Sequence, residues 1–345
     1  MNRTSTKPAV LALHIGLALG VTQTASAQLF PSAIALSDLD GSNGIAINGD
    51  VIRTGTAVDG AGDVNGDGID DLIIGAPTGG STPGESYVVF GSDGGLASPF
   101  PLSLINGLNG FAMIGYGDLA FTGGSVSGAG DINGDGIDDL IVGAPFIFGN
   151  RGHSYVVFGT ESGFPNPLLL SSLDGQNGIT VIGDSGSQSG GTVSNAGDVN
   201  GDGVDDVLIA AATANPNGLE SGRSYVIFGP VDDLPNPFQL SAINGLNGFV
   251  LEGQAQYDYA GVSVSAAGDI NGDGIDDLII SAPGADVNGL DSGNSYVVFG
   301  SDAGLPSPFN FAILNGINGF VVHGETANDR SGISVSGAGD VNGDG

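Results

Sequence analysis

The sequence predicts an all-β chain, folded as a β-propeller of four-stranded antiparallel blades, on three observations. Gly supplies 64 and Pro 16 of the 345 residues while Lys and Arg total six, so the material for long surface helices is lacking. Val, Ile, Leu, Tyr and Phe come in short runs bounded by Gly, Asn, Asp and Pro, the punctuation of strands and turns. One pattern also recurs at a nearly fixed period: the Asp-rich string that begins at Asp63 returns at Asp131, Asp198, Asp269 and Asp340, after 68, 67, 71 and 71 residues. A period of this size decides architecture before any single motif is read.

Two further markers keep step with the Asp string. The sequence Ser-Tyr-Val-Val-Phe-Gly stands at 86–91 and 154–159, with an Ile variant at 224–229 and a last copy at 295–300. Asn-Gly-x-Asn-Gly-Phe recurs around Phe111, Phe249 and Phe320. The repeat units run from about 36–101, 102–169, 170–239 and 240–310, with a partial fifth over 311–345. Each complete unit holds four strand candidates; in the second they are 111–114, 125–127, 139–142 and 154–158. Four strands in about seventy residues make one propeller blade, whose faces are buried against two neighbours. A β-solenoid is the alternative for a repeated chain, but its coils are shorter and do not break into four turn-bounded runs.

The N-terminus reads as an address. Arg3 and Lys7, an apolar stretch over 9–21, and Ala25-Ser26-Ala27 form the charge, core and small-residue pattern of a secretory signal peptide spanning 1–27, with cleavage expected after Ala27. The competing reading, a membrane anchor, requires about 20 apolar residues, and this stretch is shorter and interrupted by His14 and Gly. No later segment is long and apolar enough to span a bilayer. The expected location is therefore secreted, at the cell surface, or periplasmic, with residues 28–345 as the propeller. That region keeps only Arg53, Arg151, Arg223 and Arg330 as basic residues against 38 acidic ones, and the whole chain carries a formal charge of −32. Nucleic acid is excluded as a partner because the cations that neutralise phosphates are missing. The absence of Cys removes disulfides, thiolate-ligated metals and thiol catalysis.

The Asp string carries the chemistry. In Asp63-Val64-Asn65-Gly66-Asp67-Gly68-Ile69-Asp70-Asp71, oxygen-bearing side chains hold positions 1, 3, 5 and 9, and Gly holds position 6. A hard cation such as Ca²⁺ takes six to eight oxygens, and alternate residues of a tight loop can supply them while the Gly permits the sharp turn. The backbone carbonyl of position 7 adds another donor and leaves its side chain free to enter the core. An apolar residue duly stands there in every complete copy: Ile69, Ile137, Val204 and Ile275. Without a cation the carboxylates of one loop would repel one another. An EF-hand would place a bidentate Glu at position 12 on a helix, whereas position 12 here is Ile74 in a strand-like run. One Asp-Asn-Gly string alone reads equally well as a solvated turn. Four complete copies, fixed relative to the strands and holding 16 of the 38 acidic residues, favour about four Ca²⁺ sites.

The succession of Phe90-Gly91, the Asp-x-Asn-x-Asp-Gly loop and Gly75-Ala76-Pro77, repeated as Phe158-Gly159 and Gly143-Ala144-Pro145, resembles the FG-GAP repeats of the integrin α-subunit N-terminal β-propeller. The resemblance covers residues 36–345. It implies a seven-bladed fold with Ca²⁺ in hairpin loops on one face, and a role in adhesion or extracellular recognition. Transferred position by position, it implies the side-chain ligands Asp63, Asn65, Asp67 and Asp71; Asp131, Asn133, Asp135 and Asp139; Asp198, Asn200, Asp202 and Asp206; and Asp269, Asn271, Asp273 and Asp277. Asp340, Asn342 and Asp344 begin a fifth site that breaks off at position 6, so the natural protein is expected to continue. The third unit has Ala210-Ala211-Ala212 in place of Gly-Ala-Pro, which is expected to alter a strand end and leave the loop intact.

Catalytic candidates are weak, and no enzymatic site is expected. His153 takes the place of Glu85, Arg223 and Asn294 in the other units, a freedom that suggests an outward-facing strand position, and His323 reads the same way. No Gly-x-Ser-x-Gly elbow is present. Adjacent Asp pairs such as Asp70-Asp71 point to opposite faces of a strand and make poor acid and base partners. The preferred function is a Ca²⁺-stabilised propeller that binds an extracellular protein or glycan. The alternative is an accessory propeller of a larger secreted hydrolase or lyase. The loops 78–85, 146–152, 213–223 and 284–294 vary most between units and are where specificity would lie.

Overall fold

The computed structural model describes residues 33–341 except 42, 78–82, 118–119 and 233; the signal-peptide call at 1–27 lies outside them. Strands dominate the described residues, joined by short 3₁₀ turns and a single turn of α-helix at Ile147–Asn150. They form four antiparallel four-stranded blades. The first pairs Val58–Gly62, Asp71–Ala76, Glu85–Val89 and Gly110–Ile114 in that order. The second pairs Ser125–Gly130, Asp139–Ala144, His153–Val157 and Gly178–Ile182. The third pairs Thr192–Gly197, Asp206–Ala211, Arg223–Ile227 and Gly248–Glu252. The fourth pairs Val264–Gly268, Asp277–Ala282, Asn294–Val298 and Gly319–His323.

Blade and repeat are offset by one strand. Gly110–Ile114, the first strand candidate of the second unit, hydrogen-bonds to Glu85–Val89 of the first unit and closes that unit's blade. Every junction between units is thus a strand that crosses from one sheet to the next, which ties neighbouring blades together through the backbone. A two-residue segment further along, Leu168–Leu169, adds a short parallel edge to the same outer strand.

The core lies between the blades. Val88, Phe111 and Met113 of the first blade pack with Leu140, Val142 and Tyr155 of the second. On the other face of the same strand, Ile141 packs with Val207, Ile209 and Tyr225 of the third. A third layer joins Leu208, Phe249 and Leu251 to Leu278, Ile280 and Tyr296. Strands buried on both faces need no polar alternation, which is why Leu140-Ile141-Val142 reads as a continuous apolar run. Innermost strands of adjacent blades lie side by side, linked by Ser127 Oγ donating to Asp59 Oδ2 at 2.7 Å and Val193 N donating to Ser125 Oγ at 2.9 Å.

Two expectations are corrected at this level. Ala210-Ala211-Ala212 does not alter the strand end: Asp206–Ala211 spans six residues, as Asp71–Ala76 does, and Gly190 N donates to Ala210 O at 3.0 Å just as Gly123 N donates to Gly143 O. His153 is buried, not outward-facing, because the rim loop over 183–191 folds across the start of its strand, with Gln188 N bonded to Asn150 O. His323 is exposed, as expected.

Candidate metal centres

Each Asp loop is the hairpin between the innermost and second strands of its blade, so all four stand at the same end of the blades. A bulge opens the loop: pairing slips between Gly60 and Gly62, Gly128 and Gly130, Asn195 and Gly197, and Ala266 and Gly268. The last residue before position 1, Gly62, Gly130, Gly197 or Gly268, has φ near +70°, which only Gly adopts without strain. That kink swings the chain from strand into loop.

Inside the loop the side chains fasten the backbone. The position 1 carboxylate accepts from position 5 and position 6: Asp67 N to Asp63 Oδ1 at 3.0 Å and Gly68 N to Asp63 Oδ2 at 2.6 Å, with matching pairs at Asp131, Asp198 and Asp269. Position 3 accepts from position 5 in every loop, through Asn65, Asn133, Asn200 and Asn271. Position 5 accepts from position 7, through Asp67, Asp135, Asp202 and Asp273. Positions 1, 3 and 5 are thereby held on one small turn.

Position 9 starts the second strand and is buried. Asp71 accepts from Val64 N at 3.2 Å and Gly91 N at 2.8 Å; Asp139 from Ile132 N and Gly159 N; Asp206 from Val199 N and Gly229 N; Asp277 from Ile270 N and Gly300 N. The Phe-Gly marker has its reason here. A Cβ on Gly91 would stand 2.4 Å from Asp70 O and 2.5 Å from Ile69 Cγ2, so only Gly brings its N–H to the carboxylate. Burial pushes Asp71 up to about 7, and the neighbouring Asp67 and Asp63 charges push the same way. Burial likewise lifts Asp139 and Asp206 to about 8, and it raises Asp277.

The side chain expected in the core from position 7 is not there. Ile69, Ile137, Val204 and Ile275 are half-buried beneath the Phe-Gly glycines. The core residue is position 2 in the first three loops, where Val64, Ile132 and Val199 are fully buried between blades. The two backbone directions exchange because position 7 follows a left-handed Gly. Asp340 is described and exposed, while Asn342 and Asp344 lie outside the described residues.

Among the described residues no three acidic or His side chains form a ready-made metal cluster, since the carboxylates face backbone amides. The donor set nevertheless fits a hard cation. It is all oxygen, the Oδ2 of each position 1 carboxylate accepts one N–H and keeps a second lone pair, and a cation would offset the burial and the neighbouring charges that raise Asp71.

Sequence reading missed position 8. Asp138 of the second blade reaches into the first, where its Oδ2 accepts from Asp63 N at 2.7 Å. Asp205 does the same to Asp131 N at 2.9 Å and Asp276 to Asp198 N at 3.0 Å. The signal was visible as the first Asp of each Asp-Asp pair.

The opposite end of the blades carries the variable loops. A pocket of about 190 Å³ opens there, lined by Asp184, Ser187, Asn215, Arg223 and Tyr225. Arg223 pairs with Glu252 at 2.5 Å and Asp184 at 3.5 Å and lies over the Tyr225 ring. At the same strand position His153 sits beside Tyr155, and burial lowers it to about 4. Asn294 bonds Tyr296 and His323, and Tyr87 donates to Glu85.

Known proteins bear out the motif. The FG-GAP repeat family model matches four times, at 54–89, 122–157, 189–227 and 260–298. The chain is 31% identical over 236 residues to integrin alpha pat-2 of Caenorhabditis elegans, covering 64% of this chain and 17% of that protein. It is 28% identical over 268 residues to integrin alpha-5 of Xenopus laevis, covering 72% and 22%. It is also 27% identical over 305 residues to the phosphatidylinositol-glycan-specific phospholipase D of Homo sapiens, covering 82% and 32%. The chain therefore spans about a fifth to a third of the length of these curated relatives. Blades, motif and matches agree: this chain is an FG-GAP repeat protein whose β-propeller resembles that of the integrin α-subunits.

Proposed function

We propose that this chain is a secreted or cell-surface calcium-binding propeller that mediates adhesion or recognition of an extracellular protein or glycan. The observation that carries the reading is the fourfold loop. Each copy sets three side chains with oxygens at alternate positions of one turn and a fourth, buried, at the strand start that follows. Ca²⁺ held by Asp63, Asn65, Asp67, Asp71 and the Ile69 carbonyl, and by their counterparts, would neutralise charges that otherwise oppose one another. The metal would thus be structural, fixing one end of each blade while the other end presents varied loops. Recognition belongs to that other end, where the first residue of the third strand changes from Glu85 to His153, Arg223 and Asn294 on a constant frame. No catalytic role is assigned to any residue of the propeller.

Thermal unfolding in chelator and then in millimolar Ca²⁺, with Mg²⁺ as control and bound metal counted by calorimetry, tests the reading. Ca²⁺ should raise the melting temperature with about four ions bound, each worth about 2.7 kcal/mol at a hundredfold excess over its dissociation constant. An unchanged melting curve would reduce the Asp loops to solvated turns.

A second reading is favoured by the match to a phospholipase D over 82% of this chain: an accessory propeller attached to a secreted hydrolase. The natural gene product separates the two. A catalytic domain continuous with the propeller supports the accessory role, and ligand binding without turnover supports recognition.

A further inference from the structure

We infer that each cation loop is held in its binding shape by the position 8 carboxylate of the next blade. The inference rests on the calcium reading above and names the positioning residues for it: Asp138 for the loop beginning at Asp63, Asp205 for Asp131, and Asp276 for Asp198.

Two contacts join each loop to the following blade. The first is the position 8 carboxylate, which accepts the N–H of position 1 at 2.7, 2.9 and 3.0 Å. It also fills the space beside the kink: a Cβ on Gly62, Gly130 or Gly197 would lie 2.3, 2.1 or 2.3 Å from Oδ2 of Asp138, Asp205 or Asp276. The second comes from the residues just after the next Phe-Gly marker. Thr160 N donates to Val64 O at 2.9 Å, Val231 N to Ile132 O at 3.2 Å, and Ser301 N to Val199 O at 2.9 Å. Position 1 is thus clamped by its own N–H, and position 2 by its own carbonyl, to a blade that contributes no ligand to that site.

The consequence falls on the clamped loop. Asp63 carries the first ligand carboxylate, and its backbone is aimed by Gly62 and Asp138 together. Asp138 itself lies in the loop of the second blade, between Ile137 and the buried Asp139. Any ordering of one loop by the other through this contact is reciprocal. The second loop's own entrance is held by Asp205 of the third blade. Removing Asp138 should therefore weaken the first site, whose entrance it holds, more than the second, whose entrance Asp205 holds.

Hydrogen exchange read by mass spectrometry on the full chain tests this, because peptides covering 58–76 and 125–144 report the first and second loops separately. Ca²⁺ is titrated against protection of each peptide. In Asp138→Ala the first-loop peptide should need about tenfold more Ca²⁺ for half-protection, the loss expected for one charge-assisted hydrogen bond. The second-loop peptide should move less than threefold. Asp138→Asn, which keeps an acceptor oxygen at the same place, should recover most of the loss. Equal shifts at both loops, no shift at the first, or an Asn variant as defective as Ala would overturn the positioning role. If no loop of the unaltered protein responds to Ca²⁺, the calcium reading itself falls, and this inference falls with it.

Discussion

At the Asp-loop end of the blades, the N–H that meets the position 9 carboxylate comes from a glycine in all four copies, Gly91, Gly159, Gly229 and Gly300. At the other end, the residue opening the third strand is Glu85, His153, Arg223 and Asn294 in turn. The two ends are built from the same strands a few residues apart. The difference is what each asks of a side chain. The Asp end is a set of carboxylates aimed at backbone amides in spaces too tight for a Cβ, so composition is fixed by geometry. The variable end pairs side chain with side chain beside a Tyr that recurs in every blade, with the Tyr155 hydroxyl and Arg223 Nε left without a hydrogen-bond partner among the described residues, and several chemistries fit that frame.

The largest expected contrast comes from removing the buried carboxylate. Asp139→Ala leaves the N–H groups of Ile132 and Gly159 without the acceptor that now stands 3.1 and 2.7 Å away. Each buried unsatisfied donor costs about 1–3 kcal/mol, so the variant should lose about 2–4 kcal/mol in urea unfolding with chelator present. Ser185→Ala, on the exposed rim of the opposite pocket, should stay within about 0.5 kcal/mol. Comparable losses at both positions would break the comparison.

Next in size is the glycine that serves that carboxylate. In Gly159→Ala the new Cβ meets Asp138 O at 2.3 Å and Ile137 Cγ2 at 2.6 Å, and backbone has to shift. About 2–3 kcal/mol should be lost, in the range of overpacked interiors. Gly191→Ala, in a loop at the other end, meets only Gln188 O at 3.4 Å and should cost under about 1 kcal/mol. Melting temperatures of the two variants, compared with the unaltered protein in the same buffer, decide the matter.

Arg223 sharpens the comparison from within the variable end. Its side chain is mostly buried and pairs with both Glu252 and Asp184, whereas Arg330 is 61% exposed and meets Asp291 at 3.2 Å. Arg223→Ala leaves a half-buried Glu252 without its cation and should cost about 1–2 kcal/mol. Arg330→Ala should cost less than about 0.5 kcal/mol. A double-mutant cycle between Arg223 and Glu252 that returned no coupling would place the whole variable end among solvated surfaces.

The same contrast explains what was legible in the sequence. The blades, the Asp ladder and the strands that begin at Asp71, Asp139, Asp206 and Asp277 follow from local patterns, because loop positions and strand starts are neighbours in the chain. Position 8 was opaque because its partner lies 74 to 78 residues away, and only the packing of one blade on the next makes them meet. The offset between repeat and blade is hidden for a related reason: the strand at Gly110–Ile114 looks the same whichever sheet it joins. Position 7 was misread because an apolar residue recurring in every loop was placed in the core, whereas the first three loops bury position 2 instead. His153 was misread because variation between repeats was taken for exposure, whereas a rim residue can vary while a loop covers it.

His153 also gives the smallest and most specific effect. Burial is the main cause of its lowered value of about 4, with the Arg151 charge acting the same way, against an ordinary value of 6.5. Its unfolded form therefore binds a proton at a pH where the folded form does not. The sign follows: this residue costs nothing above pH 6.5, and its penalty grows as pH falls from 6.5 toward 4. The buried Asp carboxylates, raised rather than lowered, gain stability over part of the same window, so the net slope of the unaltered protein mixes opposite contributions. Subtracting His153→Asn from the unaltered protein removes what the two share. Asn is the residue that the fourth blade holds at this position as Asn294, so the frame accepts it. The stability difference between the two proteins should be constant above pH 7 and shift in favour of the Asn variant by about 1 kcal/mol by pH 4.5, after allowance for solvent screening at the rim. A pH-independent difference would mean that the imidazole is protonated in place without penalty. The variable end would then be solvated even beneath its loops.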